Sequence, residues 1–477
     1  MKDATQFYID GEWVRPREGT PFTVLNPSNE EAFATITLGG QADTNAAVAA
    51  AKAALPAWKS TTKAERADVM RRVLAAYMDR IEEMAEVISQ EMGAPIALAR
   101  AAQAAVGAGH FKASIKALEN YEFETHHGGN GSSFRVYMEP IGVCALITPW
   151  NWPMNQVTLK VAPALAAGCT MVLKPSEVAP MSSYLFAEIM DAADLPKGVF
   201  NMVNGDGAGV GTQLSLHPDV DMVSFTGSTR AGKLITKNAA DSIKRVTLEL
   251  GGKGANIVFA DADEKAVERG VRHCFNNSGQ SCNAPTRMLV ERSRYDEAVD
   301  TAIKVAETTK VAAANVEGPT IGPVVSEVQW DKIQGLIQKG IDEGGRLVAG
   351  GTGRPDGLNR GYFARPTVFA DVNQDMTIWK EEIFGPVLAM TPFDSEEEAL
   401  EMANDTAYGL TNYVQTQDME KALRAARELR SGMVEINGKS HGPGMPFGGQ
   451  RQSGNGREGG EWGLEDFLEV KLVTGAS

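Results

Sequence analysis

At 477 residues, with a hydrophobic fraction of 43% and a charged fraction of 22%, the chain is composed like an ordinary globular protein but is too long for one core, so two or three domains are expected. A net charge of −15 sets its surface against nucleic acid and anionic membranes as partners. Four cysteines without a CxxC pair, an N-terminal MKDATQFYIDGEW without an apolar run, and no uncharged apolar stretch of about 18 residues predict a cytoplasmic protein in a reducing compartment.

After a short N-terminal segment, residues 41–118 are rich in Ala, Glu, Lys and Arg, with Val69, Val73, Tyr77, Ile81 and Met84 at helical spacing, which predicts covering helices. Residues 119–139 change to aromatic and β-branched flanks around a Gly/Asn/Ser centre, a hairpin signal. His126 and His127 there would point to opposite faces of a strand, and no other histidine spacing fits a metal, so no metal site is expected. From 141 to 250 the apolar runs GVCALI, TMVLK, VFNMV, DMVSF and KRVTLEL alternate with helical stretches. Connections of that length force parallel pairing, so a doubly wound α/β domain is predicted, with ligands beyond the carboxyl ends of its strands. Residues 255 to about 440 repeat the style with NIVF, RMLVE, TVFADV, PVLAM, TNYVQ and MVEIN as strands of a second α/β domain. The terminal FLEVKLV reads as a strand able to pair with the 119–139 arm.

Among the four cysteines, Cys144 and Cys169 border apolar strand-like runs and Cys274 falls on a helical pattern. Cys282 instead sits in FNNSGQSCNAPTR, among groups too polar for a packed core, where a reactive thiol would be placed. Three glycine patterns compete for a phosphate. GNGREG at 454–459 follows no strand, and GSTRAGK at 227–233 is followed by Leu234 where a P-loop needs Ser or Thr. What survives is the strand–FTGST–helix unit, in which Gly227 and Ser228 either meet a dinucleotide pyrophosphate or form an ordinary capped turn.

PWN at 149–151, KPSE at 174–177, FTGST at 225–229, ELGGK at 249–253, FNNSGQSC at 275–282, EEIFGP at 381–386 and PFGG at 446–449 occur together and in order. The chain therefore closely resembles the aldehyde dehydrogenase superfamily over nearly its whole length. The resemblance implies a Rossmann-like cofactor domain (1–118 and 140–250), a catalytic α/β domain (251–450) and an oligomerisation element built on the hairpin (119–139 and 460–477). It implies NAD-dependent oxidation of a small-molecule aldehyde to a carboxylic acid, in a homodimer or homotetramer. Cys282 would be the nucleophile, the Asn151 amide an oxyanion donor, and Glu249 the base that activates water on a cysteine thioester; Lys160 and Glu458 match lesser catalytic positions. Trp150, Lys174, Ser176, Glu177, Gly227, Ser228, Glu382 and Phe384 would meet the cofactor. A carboxylate at Glu177 would accept from a ribose 2′-hydroxyl and repel a 2′-phosphate, favouring NAD over NADP. Trp152, Leu159, Ser281, Asn283 and Phe447 would line the aldehyde tunnel. Without the resemblance, Arg245, Thr247 and Glu249 read as a solvated strand face. The rival functions are a CoA-acylating semialdehyde dehydrogenase, against which Glu249 counts, and a non-catalytic binding or structural protein on the same fold.

Overall fold

The computed structural model describes residues 2–129 and 132–475. Five parallel strands, numbered here in chain order, form the centre of an eight-stranded sheet: β1 (Val143–Ile147), β2 (Thr170–Lys174), β3 (Phe200–Met202), β4 (Met222–Thr226) and β5 (Arg245–Glu249). Their spatial order is β5-β4-β1-β2-β3, so the chain reverses direction across the sheet between β1 and β4. Such a reversal leaves a crevice beyond the carboxyl ends of the two strands, where the following turns splay apart. β1, β2 and β4 are buried throughout, as apolar runs covered by helices on both faces require.

A seven-stranded sheet follows the linker 250–254. It contains the parallel strands β6 (Ala255–Val258), β7 (Arg287–Glu291), β8 (Thr367–Ala370), β9 (Val387–Phe393), β10 (Thr411–Gln415) and β11 (Met433–Ile436), in the order β8-β9-β7-β6-β10-β11. An antiparallel edge strand, Arg346–Ala349, completes it. The linker is short, so the carboxyl end of β5 adjoins the amino end of β6. Each sheet has its own buried apolar clusters, one centred on Leu146, Phe186 and Leu173, another on Phe259, Trp379 and Val414.

The hairpin Glu124–Gly129 and Ser132–Pro140 pairs antiparallel with the terminal strand Leu468–Thr474, as the sequence predicted. Arg245, the first residue of β5, reaches this sheet through the carbonyls of Asp466 (2.9 Å) and Leu468 (2.7 Å) and the Glu469 carboxylate (2.6 Å). The N-terminal segment holds more structure than expected. Phe7–Ile9 and Glu12–Val14 extend the first large sheet, and Lys2–Ala4, Thr20–Asn26 and Glu31–Leu38 form a sheet of their own. The first three of these strands have only three residues each, too few for an alternation to register in sequence.

Candidate active site

The helix Pro153–Ala167 begins directly beyond β1. Pro153 at its first position lacks an N–H that would go unpaired there, and Gly168 ends it at φ +92°. Every residue from Gln156 to Ala167 is buried, so this helix is enclosed on all sides. Lys160 is carried into that interior with 1% of its surface exposed. Its Nζ donates to Glu458 Oε1 at 2.5 Å and to Ser224 Oγ at 3.2 Å. The cation therefore has a buried carboxylate and a hydroxyl in place of water.

Glu249 closes β5. It is 5% exposed, and neither carboxylate oxygen has a hydrogen-bond partner among the described residues. The solvated-face reading of this strand is overturned at its last residue: Arg245 and Thr247 are half-buried, but Glu249 turns into the interior. Burial, reinforced by the Glu458 carboxylate, holds its carboxyl well above the usual carboxylate range, with Lys160 and Arg457 opposing. Gly448, at φ +149°, lies against it. A Cβ there would stand 2.5 Å from Glu249 Oε1, so this glycine is what leaves room for the carboxylate.

Before Cys282 the backbone takes three consecutive left-handed residues, Asn277 (φ +52°), Ser278 (φ +57°) and Gly279 (φ +73°). Two of them are not glycine, a conformation that costs of order 1 kcal/mol or more each and persists only where surroundings impose it. Here side chains impose it. Gln103 Nε2 donates to Asn277 Oδ1 (2.9 Å), Asn277 Nδ2 to the Asn151 carbonyl (2.9 Å), and Ser278 Oγ to the Gly322 carbonyl (2.7 Å). Gly279 packs so closely on the Gly385 carbonyl that a Cβ would collide with it. Asn151 Nδ2 donates to the Gln280 carbonyl at 3.1 Å, which fixes the amide beside the turn and leaves its second hydrogen free to point elsewhere. Cys144, Cys169 and Cys274 are buried, whereas Cys282 is half-buried. Burial pushes the Cys282 thiol up, and the Glu382 and Glu249 carboxylates add to that shift.

Cys282 opens into a cavity of about 570 Å³ that also takes in Trp152, Leu159, Ser281, Asn283 and Phe447, all five of the residues expected to line a tunnel. Trp152 Nε1 donates to Ser281 Oγ at 2.8 Å. The same walls include His110, His273, Glu435 and His441, which the sequence did not single out.

The remaining expected residues gather on the far side of the linker, around the β1/β4 crevice. Lys174 ends β2 with its Nζ 3.3 Å from Glu177 Oε2, and burial lowers its pKa. Ser176 Oγ accepts from Val178 N at 3.3 Å, a turn within KPSE. Ser228 caps the helix Thr229–Ala239 by accepting from Ala231 N, and the Gly227 N–H donates to the Glu249 carbonyl at 3.0 Å. Glu382 Oε1 accepts from Gly252 N at 2.8 Å. Phe384, at φ +60°, presents its ring edge-on to Trp150 with centroids 5.5 Å apart. Thr148 Oγ1 and Thr226 Oγ1, beyond β1 and at the end of β4, are buried without partners among the described residues. Orphaned hydroxyls, a capped helix start and a Lys–Glu pair at the strand ends suit a dinucleotide.

The model of the Aldehyde dehydrogenase family matches residues 13–473. The 3-succinoylsemialdehyde-pyridine dehydrogenase of a Pseudomonas species is 51% identical over 477 residues, covering 100% of this chain and 99% of that protein. A putative aldehyde dehydrogenase of Staphylococcus aureus is 44% identical with the same coverage. Among solved structures, an aldehyde dehydrogenase from Bartonella henselae superposes with a TM-score of 0.98 at 57% identity, covering 99% of each chain. A cysteine-to-alanine variant of aldehyde dehydrogenase C from Pseudomonas syringae, in complex with NAD+ and octanal, gives 0.97 at 48% identity, covering 99% of this chain and 97% of that one.

Proposed function

The chain belongs to the aldehyde dehydrogenase family, and from that premise we propose that Cys282, Asn151 and Glu249 oxidise an aldehyde to a carboxylic acid with NAD as hydride acceptor. The Cys282 thiolate adds to the carbonyl carbon, and the oxyanion so formed takes hydrogen bonds from the free Asn151 amide hydrogen and the Cys282 N–H. NAD, when bound, accepts the hydride of the resulting thiohemiacetal. The thioester left on Cys282 is cleaved by water from which Glu249 removes a proton, releasing the acid and restoring the Cys282 thiolate. Lys160 favours the ionised form of Glu249 and the Glu458 carboxylate opposes it, so the pair tunes when the base is free to accept a proton. The observation that carries this reading is the Glu249 carboxylate, buried, with neither oxygen hydrogen-bonded among the described residues.

Lys174, Ser176 and Glu177 would hold the adenosine ribose, Gly227 and Ser228 the pyrophosphate, and Glu382, Phe384 and Trp150 the nicotinamide side. The Glu177 carboxylate supports NAD over NADP. The apolar walls Leu159, Met445 and Phe447 support an alkyl or aryl aldehyde, in keeping with the octanal and pyridine compounds named for the relatives. The division into a cofactor domain, a catalytic domain and an arm follows the two large sheets and the hairpin sheet. No helix among the described residues is long and apolar enough to cross a membrane; cytoplasmic residence and assembly into a dimer or tetramer through the arm are part of this proposal.

Cys282→Ala is expected to abolish aldehyde-dependent NADH formation by at least about 10³-fold while NAD binding by calorimetry is retained. Unchanged turnover would remove Cys282 from its role, and a strict requirement for CoA in the wild type would transfer the protein to the acylating class.

A further inference from the structure

Glu435 has no part in the chemistry above, yet it faces the same cavity as Cys282. On β11 it is the buried residue of MVEI, while its neighbours Met433, Val434 and Ile436 are only half-buried, the reverse of what an apolar strand would bury. Parallel pairing sets it beside Tyr413 of β10, and the Tyr413 hydroxyl donates to the carbonyl of Asn283, the residue after Cys282. The acid is thus anchored to the wall next to the nucleophile and not out on a loop.

A carboxylate held 7% exposed is unfavourable unless cations or donors replace its water. Among the described residues Glu435 accepts no hydrogen bond, and its nearest ion-pair partner, His441 Nδ1, is 3.8 Å away, beyond hydrogen-bond reach. Burial disfavours the charged form of His273 and of His110, so neither imidazole is poised to neutralise it. Among the described residues no lysine or arginine lines the cavity, whose other walls combine Trp152, Leu159 and Phe447 with Asn155, Gln156 and Asn276. Among those residues, the Glu435 carboxylate therefore faces the cavity with no lysine or arginine beside it and only His441, at 3.8 Å, within ion-pair range. A charged group in the wall of such a pocket orients the ligand and sets specificity.

We propose that Glu435 is a specificity determinant that admits aldehydes bearing a cationic or proton-donating nitrogen group away from the carbonyl and excludes carboxylate-bearing semialdehydes. This rests on the reading of the Cys282 cavity as the aldehyde site. The test compares kcat/KM for 4-trimethylammoniobutanal, hexanal and succinate semialdehyde with NAD, in the wild type, E435Q and E435K. The wild type is expected to prefer the cationic to the anionic aldehyde by at least about tenfold, a ratio that E435Q shrinks by about tenfold or more and E435K reverses. A wild type that oxidises succinate semialdehyde as well as the cation overturns the proposal, and decides the matter even if the variants do not fold. So does an E435Q that scales all three substrates together, the mark of a structural role. Failure of all three aldehydes, hexanal included, would instead sink the aldehyde reading of the cavity along with it, whereas hexanal turnover with an unmoved ratio removes Glu435 alone.

Discussion

Burial, with the Glu382 and Glu249 carboxylates, raises the Cys282 thiol, and burial of Glu249 in turn keeps its own proton on well above the ordinary carboxylate range. A base must lose that proton before it can take one from water. Thioester hydrolysis should therefore rise with pH through the range in which Glu249 ionises, instead of being saturated from mildly acidic pH upward as a solvated glutamate would allow. Glu249→Gln should form NADH in a single burst of about one equivalent and then stall, with steady-state turnover down at least about 10²-fold. Stopped-flow recording across pH 5 to 9 checks both: the ascending limb belongs to the wild type and should vanish in the variant. Sequence alone made Cys282 a candidate because its neighbours are polar. Without the family resemblance it put Glu249 on a solvated face, because alternation along RVTLEL places the residue with Arg245 and Thr247, whereas the structure buries Glu249 alone of the five residues of β5.

Among elements, the helix Pro153–Ala167 and the turn 277–279 show what could be read and what could not. Turns at strand ends leave compact signatures, since their glycines and amides answer to local backbone demands; PWN, FTGS and ELGG were placed that way, and the Cys282 loop by the polarity of its neighbours. Gln103, His273 and Glu435 reach the site through helix and strand packing between distant segments, and nothing local in their sequence neighbourhoods reports it. Lys160 shows the energetic side of such burial. Lys160→Met would leave Glu458 enclosed without its cation and should cost about 3–5 kcal/mol of stability by urea denaturation. Adding Glu458→Leu should recover much of that loss without restoring hydrolysis, which separates the pair's contribution to folding from its service to Glu249; a stable single variant would contradict the pairing.

For the whole molecule, the long periodic stretches gave the two α/β sheets, their parallel strands and the hairpin pairing with the terminal strand. The first 40 residues were not resolved by sequence because three of their strands have only three residues each, and one of these, Phe7–Ile9, also pairs with the distant Met202. The hairpin sheet leaves Val470 at 67% and Leu472 at 61% exposed, two residues apart and hence on one face. Exposed apolar side chains so arranged suit subunit contact. Val470→Asp with Leu472→Asp should lower the mass measured by light scattering toward that of one 51.0 kDa chain, with the circular dichroism spectrum kept. An unchanged assembly would place the contact elsewhere.

The unequal burial of the four cysteines makes the folded protein self-reporting toward alkylating reagents. Iodoacetamide should add one carbamidomethyl group per native chain, on the peptide containing Cys282, and four after denaturation, as read by intact mass. Because the thiol is held up by its surroundings, labelling should accelerate with rising pH well past the point where an ordinary cysteine levels off. An aldehyde that fills the cavity should slow it, so the rate of adduct formation becomes a binding assay for candidate substrates that needs neither hydride transfer nor a functioning Glu249.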